Sequence, residues 1–393
     1  MSFLFCSPVF SQVKSGGSSW PFSAKDVVCG ADRTDKYLSQ LQGKKIALVA
    51  NQSSRINNVS LVDTLLHLKV NIVKIFAPEH GFRGDAEAGK EIAGGKDKKT
   101  GIPIVSLYGK KFKPSAEDLK GVDIVVFDIQ DVGARFFTYI STLHYVMEAC
   151  AENKVKLLIF DRPNPNGFYI DGPVLEKSFS SFVGMHPVPV VYGMTIAEYA
   201  RMINGEGWLS NGIKCDLSYI TLDKYTHSVR YSLPVPPSPN LGTMAAVYLY
   251  PSLCFFEGTT VSVGRGTNFP FEVIGYPENK NSDFTFTPKS VPGKCADPIY
   301  KDQLCTGYKL TDFADVFIKN SKSLYLFWLI EMYQSYPVKE KFFNSFFDKL
   351  AGTDTLKKQI IAGKSEDEIR ATWKLSLDKF RQTRQQYLLY PDF

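Results

Sequence analysis

From residue 44 onward the chain alternates short, almost wholly apolar runs with stretches whose apolar residues return every three or four positions. The runs at 46–50 (IALVA), 70–77 (VNIVKIFA), 102–108 (IPIVSLY), 122–129 (VDIVVFDI) and 155–160 (VKLLIF) have the length and character of strands covered on both faces, as in a parallel sheet. Between them, 131–153 predicts a helix, because Val132, Phe136, Ile140, Leu143, Met147 and Cys150 fall on one face. Residues 61–68 and 116–119 predict shorter helices in the same rhythm. Strand, helix, strand repeated in this way predicts an α/β fold built on a Rossmann-like open parallel sheet.

The pattern continues with a helix predicted at 195–208 and a strand at 215–222, and then breaks at 233–243 (LPVPPSPNLGT), where proline and glycine concentrate. Beyond it, 269–287 reads as twisted strands and 323–333, 338–350 and 366–390 as helices. The expected organisation is a leader over 1–25, a Rossmann-like catalytic domain over 26–241 and a smaller α+β domain over 242–393 that closes a cleft.

Composition supports a globular chain: 393 residues, 44% hydrophobic and 22% charged. The net charge of +6 is dispersed, without the concentrated basic stripe that nucleic-acid binding needs. No apolar run reaches the ~18 residues of a membrane span. Seven cysteines include no C-x-x-C pair; Cys295 and Cys305 flank a loop and could pair in an oxidising compartment. The N-terminal segment has a short apolar stretch but no basic region before it, and reads as a degraded export signal or a disordered leader.

The chemistry collects just after the apolar runs. Residues 70–77 lead into Pro78-Glu79-His80-Gly81-Phe82-Arg83-Gly84-Asp85, residues 122–127 into Asp128-Ile129-Gln130-Asp131 with Arg135 one turn later, and residues 155–160 into Asp161-Arg162-Pro163-Asn164-Pro165-Asn166-Gly167. In a parallel sheet these carboxyl ends share one edge, where ligands bind. Glu79, Asp128, Asp131, Asp161 and Asn164 are therefore expected to open onto one cleft.

Glycoside hydrolysis needs a carboxylic acid to protonate the leaving oxygen and a second carboxylate to activate water or attack carbon. Glu79 is the candidate donor, since its neighbours Phe76, Pro78 and Phe82 would favour the neutral acid by desolvation. Asp85, Asp128, Asp131, Asp161 and Glu176 compete for the second role. Each aspartate also has an ordinary structural use, Asp131 as a helix cap and Asp161 as a partner of Arg162 or a turn cap. No H-E-x-x-H, G-x-S-x-G or P-loop motif occurs, and neither metal nor cofactor is expected. Gly264-Arg265-Gly266-Thr267 is a turn suited to presenting Arg265 to an anion.

The same blocks carry a resemblance. APEHGFRGD (77–85), VVFDIQDVGARFFTYISTL (125–143), DRPNPNG (161–167), DGPVL (171–175), VGMHP (183–187), GEGWL (205–209), PSPNL (237–241) and VSVGRGT (261–267) resemble the NamZ-type peptidoglycan exo-β-N-acetylmuramidases, over most of the chain from about Asp26 to Tyr390. The resemblance implies a Rossmann-like domain, a smaller C-terminal domain, a catalytic glutamate in the cleft that by motif is Glu79, and release of N-acetylmuramic acid (MurNAc) from non-reducing ends of glycan fragments. Relatives are commonly exported, so a periplasmic or secreted location is expected, with the cytoplasm as the alternative.

The expected enzyme is thus a metal-independent glycosidase acting on MurNAc–GlcNAc saccharides, with Glu79, Asp131 and Asp161 as candidate catalytic residues. His80, Arg83, Asp128, Gln130, Arg135, Arg162, Asn164, Asn166, Glu176, His186 and Arg265 are candidate substrate contacts. Arg265 is assigned the lactyl carboxylate of MurNAc, with Arg135 and Arg162 as alternatives. Phe82, Tyr139 and Trp208 are candidate stacking surfaces. A carbohydrate-binding protein without turnover is the competing class.

Overall fold

The computed structural model describes residues 24–83 and 94–393; most of the expected leader, together with Cys6 and Asp85, lies outside them. A single turn, α1 (Leu38–Leu41), leads into β1 (Lys45–Ala50). The hairpin β2 (Arg55–Ile56) and β3 (Val59–Ser60) and helix α2 (Leu61–His67) then return the chain to β4 (Asn71–Ala77). Next come β5 (Gly95–Lys96), β6 (Pro103–Ser106), α3 (Ala116–Leu119), β7 (Ile124–Asp128), α4 (Tyr139–Asn153), β8 (Lys156–Phe160), α5 (Ile196–Gly205) and β9 (Leu217–Ile220).

Among the described residues these strands form one sheet in the order β5-β6-β4-β1-β7-β8-β9, parallel throughout except for the β5–β6 edge. The order reverses at β1, with β4 and β6 added on one side and β7, β8 and β9 on the other. The carboxyl ends of β1, β4 and β7 therefore frame a switch-point crevice.

Alternation along the strands explains why each run looked continuously apolar. Ile46, Leu48, Val126, Leu158 and Phe160 belong to one core with Leu61 and Leu65 of α2, while Ala47, Val49, Phe127, Leu157 and Ile159 belong to another with Ile140, Leu143 and Met147 of α4. Both faces are covered, so neither parity tolerates polar residues.

The C-terminal unit extends the second of these cores. It opens with α6 (Met244–Leu253), whose first turn is capped by the Thr243 hydroxyl accepting from Ala246 N at 3.0 Å. The strands β10 (Val273–Tyr276), β11 (Phe284–Phe286) and β12 (Cys305–Lys309) make a small antiparallel sheet in the order β10-β12-β11. Helices α7 (Thr311–Val316), α8 (Phe327–Ser335), α9 (Phe347–Ala351), α10 (Thr355–Ile361) and α11 (Glu366–Gln385) follow. Phe255, Phe271, Leu350, Trp373 and Leu377 join the α4-side core, which ties this unit to the sheet.

One expectation is corrected and one open question answered. The helix predicted from residue 131 begins at Tyr139, because Gly133 takes a left-handed φ of 76° and Asp131 accepts its N–H at 2.6 Å, which holds the preceding residues in a loop. Nor does Cys305 pair with Cys295: it is a buried thiol in β12. No helix among the described residues is long and apolar enough to cross a membrane.

Candidate active site

Glu79 stands two residues beyond β4, in a turn closed by Gly81 N donating to Pro78 O at 3.0 Å. His80 occupies the third position with φ 71°, a left-handed conformation that costs a non-glycine residue about 1–3 kcal/mol and marks the turn as one held in place by its surroundings. The Thr138 hydroxyl, at the entry to α4, donates to Glu79 Oε2 at 2.7 Å. The phenol of Tyr108, just past β6, also faces this carboxylate; burial first, and then Glu79, raise its pKa.

The C-terminal unit supplies the opposing wall. Gly264 and Gly266 both have left-handed φ, near 78° and 80°, and a Cβ on either would meet neighbouring atoms at 2.4 Å, so the turn that carries Arg265 admits only glycine on both sides. Arg265 donates through Nε to Glu257 Oε1 and lies over the Phe271 ring at 5.0 Å. Burial works against the guanidinium charge, but Glu257 outweighs it and raises the pKa further above its ordinary value. Among the described residues no protein acceptor engages Nη1 or Nη2 of Arg265. Glu79, His80, Thr138, Tyr108, Glu257 and Arg265 line one cavity of about 490 Å³, a volume suited to a small ligand.

Of the residues chosen from sequence, Glu79, His80 and Arg265 reach this cavity, and Tyr139 does so among the proposed stacking surfaces. The others are engaged elsewhere. Asp128 is fully buried in a two-point pair with Arg162, at 2.6 and 2.8 Å. Its side chain follows the parity of Ile124 and Val126 toward the α2 core, whereas the cavity wall belongs to the α4-side core. Asp161 accepts from Ala197 N at 3.0 Å, Thr195 Oγ1 at 2.8 Å and Tyr390 OH at 2.5 Å, which ties the start of α5 and the C-terminal tail to β8. Asp131 holds Gly133 N and the Tyr192 hydroxyl.

The amides are likewise structural. Gln130 donates to Asp131 O and Pro163 O, Asn164 to Met194 O, and Asn166 to Val132 O and Val247 O. Arg135 is fully buried and donates to four carbonyls, those of Pro173, Val188, Leu350 and Ala351, at 2.7–2.9 Å. Arg83 pairs with Asp97, Glu176 accepts from Thr353, and His186 bonds His144 and Tyr199 while stacking on Trp208. Phe76 and Phe82 pack into the two cores, so the apolar surroundings of Glu79 come instead from Tyr108, Phe137 and Phe182.

Sequence reasoning passed over Tyr108, Thr138 and Glu257. Tyr108 closes a run read as a strand, and Thr138 sits inside a segment read as helix. Glu257 sits on a short helical turn, Cys254–Gly258, that no motif or periodicity in the sequence marks.

Two family models match the chain in order: Exo-beta-N-acetylmuramidase NamZ, N-terminal, over residues 46–245, and Exo-beta-N-acetylmuramidase NamZ, C-terminal, over residues 248–390. The chain is 40% identical over 376 residues to the peptidoglycan beta-N-acetylmuramidase NamZ of Bacillus subtilis (strain 168), covering 90% of this chain and 89% of that protein. Crystal structures of two DUF1343 family proteins from Bacteroides fragilis NCTC 9343 are similar in fold. One has a TM-score of 0.87 at 46% identity, covering 94% of this chain and 100% of that one. The other has a TM-score of 0.79 at 28% identity, covering 93% and 99%.

Proposed function

This chain belongs to the NamZ family of exo-β-N-acetylmuramidases, which are glycosidases, and from that premise we propose that it releases MurNAc from the non-reducing ends of peptidoglycan fragments with Glu79 as general acid. The observation that carries this reading is the pairing of Glu79 with Thr138 inside a cavity walled by both units of the fold. Glu79 in its acid form gives a proton to the glycosidic oxygen as the C1–O bond breaks, so the remaining sugar leaves as an alcohol. Water supplies the new hydroxyl on C1, and Glu79 recovers its proton from solvent. Such proton donation is worth about 10²–10⁴ in rate.

Arg265 supports the choice of sugar. MurNAc differs from GlcNAc by its lactyl carboxylate, and a guanidinium held through Nε by Glu257 keeps its two-pronged Nη edge for a carboxylate. Incubation with a chromogenic β-MurNAc glycoside tests the reading. An enzyme releases the chromophore, whereas a carbohydrate-binding protein shifts in melting temperature with no product, and that second result would refute the proposal.

A further inference from the structure

We propose that Glu257 is the second catalytic carboxylate, acting at the anomeric carbon while Glu79 serves the leaving oxygen. The inference rests on the glycosidase reading above and names the group that this reading leaves open.

Glu257 reaches the same cavity as Glu79 from the other unit of the fold, so a sugar held between the two units meets a carboxylate from each. It sits on the short helical turn Cys254–Gly258, and its main-chain carbonyl is held by the Asn344 side chain at 3.3 Å. Arg265 takes Oε1, which fixes the rotamer, and both side chains remain about a fifth exposed (23% for Glu257), so the pair is shielded but reachable. Among the described residues Oε2 has only the thiol of Cys254, at 3.7 Å, a weak donor. One carboxylate oxygen is thus committed to a rigid partner and the other left for a ligand.

Among the described residues the other candidate carboxylates are engaged or exposed, Glu176 by the Thr353 hydroxyl; Asp85 lies outside the described residues. Asp128, Asp131 and Asp161 are buried under structural hydrogen bonds, and Asp297, which also lines the cavity, is exposed on a loop.

The reaction balances with Glu257 in this place. The C1–O bond breaks, its electron pair stays on the leaving oxygen, and that oxygen takes the proton of Glu79. The new bond to C1 comes either from a water oxygen whose proton passes to Glu257, or from Oε2 of Glu257 itself, in an ester that water then hydrolyses. The first course inverts the anomeric centre and the second retains it.

The test uses Glu257→Gln and Glu257→Ala beside wild type and Glu79→Gln on a chromogenic β-MurNAc glycoside, with melting temperatures as the control for folding. Both Glu257 variants should lose about 10²–10⁴ in kcat with little change in KM. Sodium azide should restore the Glu257→Ala rate by roughly tenfold or more, with a glycosyl azide as product, because a small anion can enter the vacated space and attack C1. A Glu257→Gln variant near wild-type kcat overturns the inference. So does a raised KM with no azide product, matched by Arg265→Ala, since Glu257 would then only be positioning the arginine. Turnover by wild type together with an active Glu257→Gln removes this inference and leaves the glycosidase reading standing. No turnover by wild type removes both.

Discussion

Thr138 immediately precedes α4, where a threonine hydroxyl ordinarily caps free backbone N–H groups, yet its Oγ1 donates to Glu79 Oε2 at 2.7 Å and makes no cap. A helix start has given up a contact commonly worth about 0.5–2 kcal/mol to hold a carboxylate. That exchange ties the start of α4 to the turn after β4, two elements that meet only at the sheet's carboxyl edge.

Removing the hydroxyl should therefore harm catalysis more than folding. Thr138→Val is expected to lower kcat by roughly tenfold, the scale of one lost hydrogen bond to a carboxylate, with melting temperature and KM little changed. Steady-state kinetics beside a thermal melt checks this. Loss of stability with unchanged kcat would make the bond structural only.

Arg265 should set the preference for MurNAc over GlcNAc. A charge-assisted pair with the lactyl carboxylate supports discrimination of about 10²-fold, and Arg265→Ala should abolish most of it. The ratio of kcat/KM for the two glycosides is the measurement. A mutant that keeps the full preference would show that the carboxylate is read elsewhere.

Asp161 should control pH stability. Burial, helped by the nearby Glu198 carboxylate and opposed by hydrogen bonds from Tyr390, Ala197 and Thr195, raises its pKa from 3.8 to about 7. Below about pH 4 folded and unfolded chains both hold the proton; between there and pH 7 only the folded chain does, so this contribution to stability falls as pH rises. His144 and His186, whose pKa values burial lowers, tilt the opposite way below pH 6.5. The comparison is thus a difference: melting temperature of wild type minus Asp161→Asn should shrink from pH 4 to pH 7. The folded variant should keep kcat within a few-fold of wild type, and a dead but folded variant would return Asp161 to the catalytic set.

Arg135 should be needed for the joint between the two units. Its guanidinium satisfies Leu350 O and Ala351 O at the end of α9 as well as Pro173 O and Val188 O, and Gly352 has φ 72° with room for no Cβ, since one would lie 2.7 Å from Arg135 Nη2. Burial lowers the pKa to about 9, so the charge persists at neutral pH and draws on carbonyl dipoles. Arg135→Met takes the donor from the carbonyls of Pro173, Leu350 and Ala351, while Val188 O keeps Leu175 N, and should destabilise the protein by about 3–5 kcal/mol. Chemical denaturation measures it, and a change under about 1 kcal/mol would contradict the assignment.

The sheet was legible because strands buried on both faces announce themselves as apolar runs, and the polar residues after those runs do stand at one edge. What could not be read was which side of the sheet each one faces. Asp128 lies one residue after Phe127, and that single step of parity sends it to the α2 core instead of the cavity. Glu79 escaped this restriction because it sits in a turn beyond its strand. The partnership of Glu257 and Arg265 was hidden for a different reason: a short helical turn and a glycine-flanked turn bring them together, and neither imposes a periodicity on the sequence.

The role of Glu79 is tested most directly by the leaving-group dependence of Glu79→Gln. On a MurNAc–GlcNAc disaccharide, whose alcohol must be protonated to depart, the variant should lose about 10²–10⁴ in kcat/KM. On a 4-nitrophenyl MurNAc glycoside, whose phenolate leaves without a proton, the loss should be far smaller. Equal losses on both substrates, or near-wild-type rates on the disaccharide, would contradict Glu79 as the proton donor.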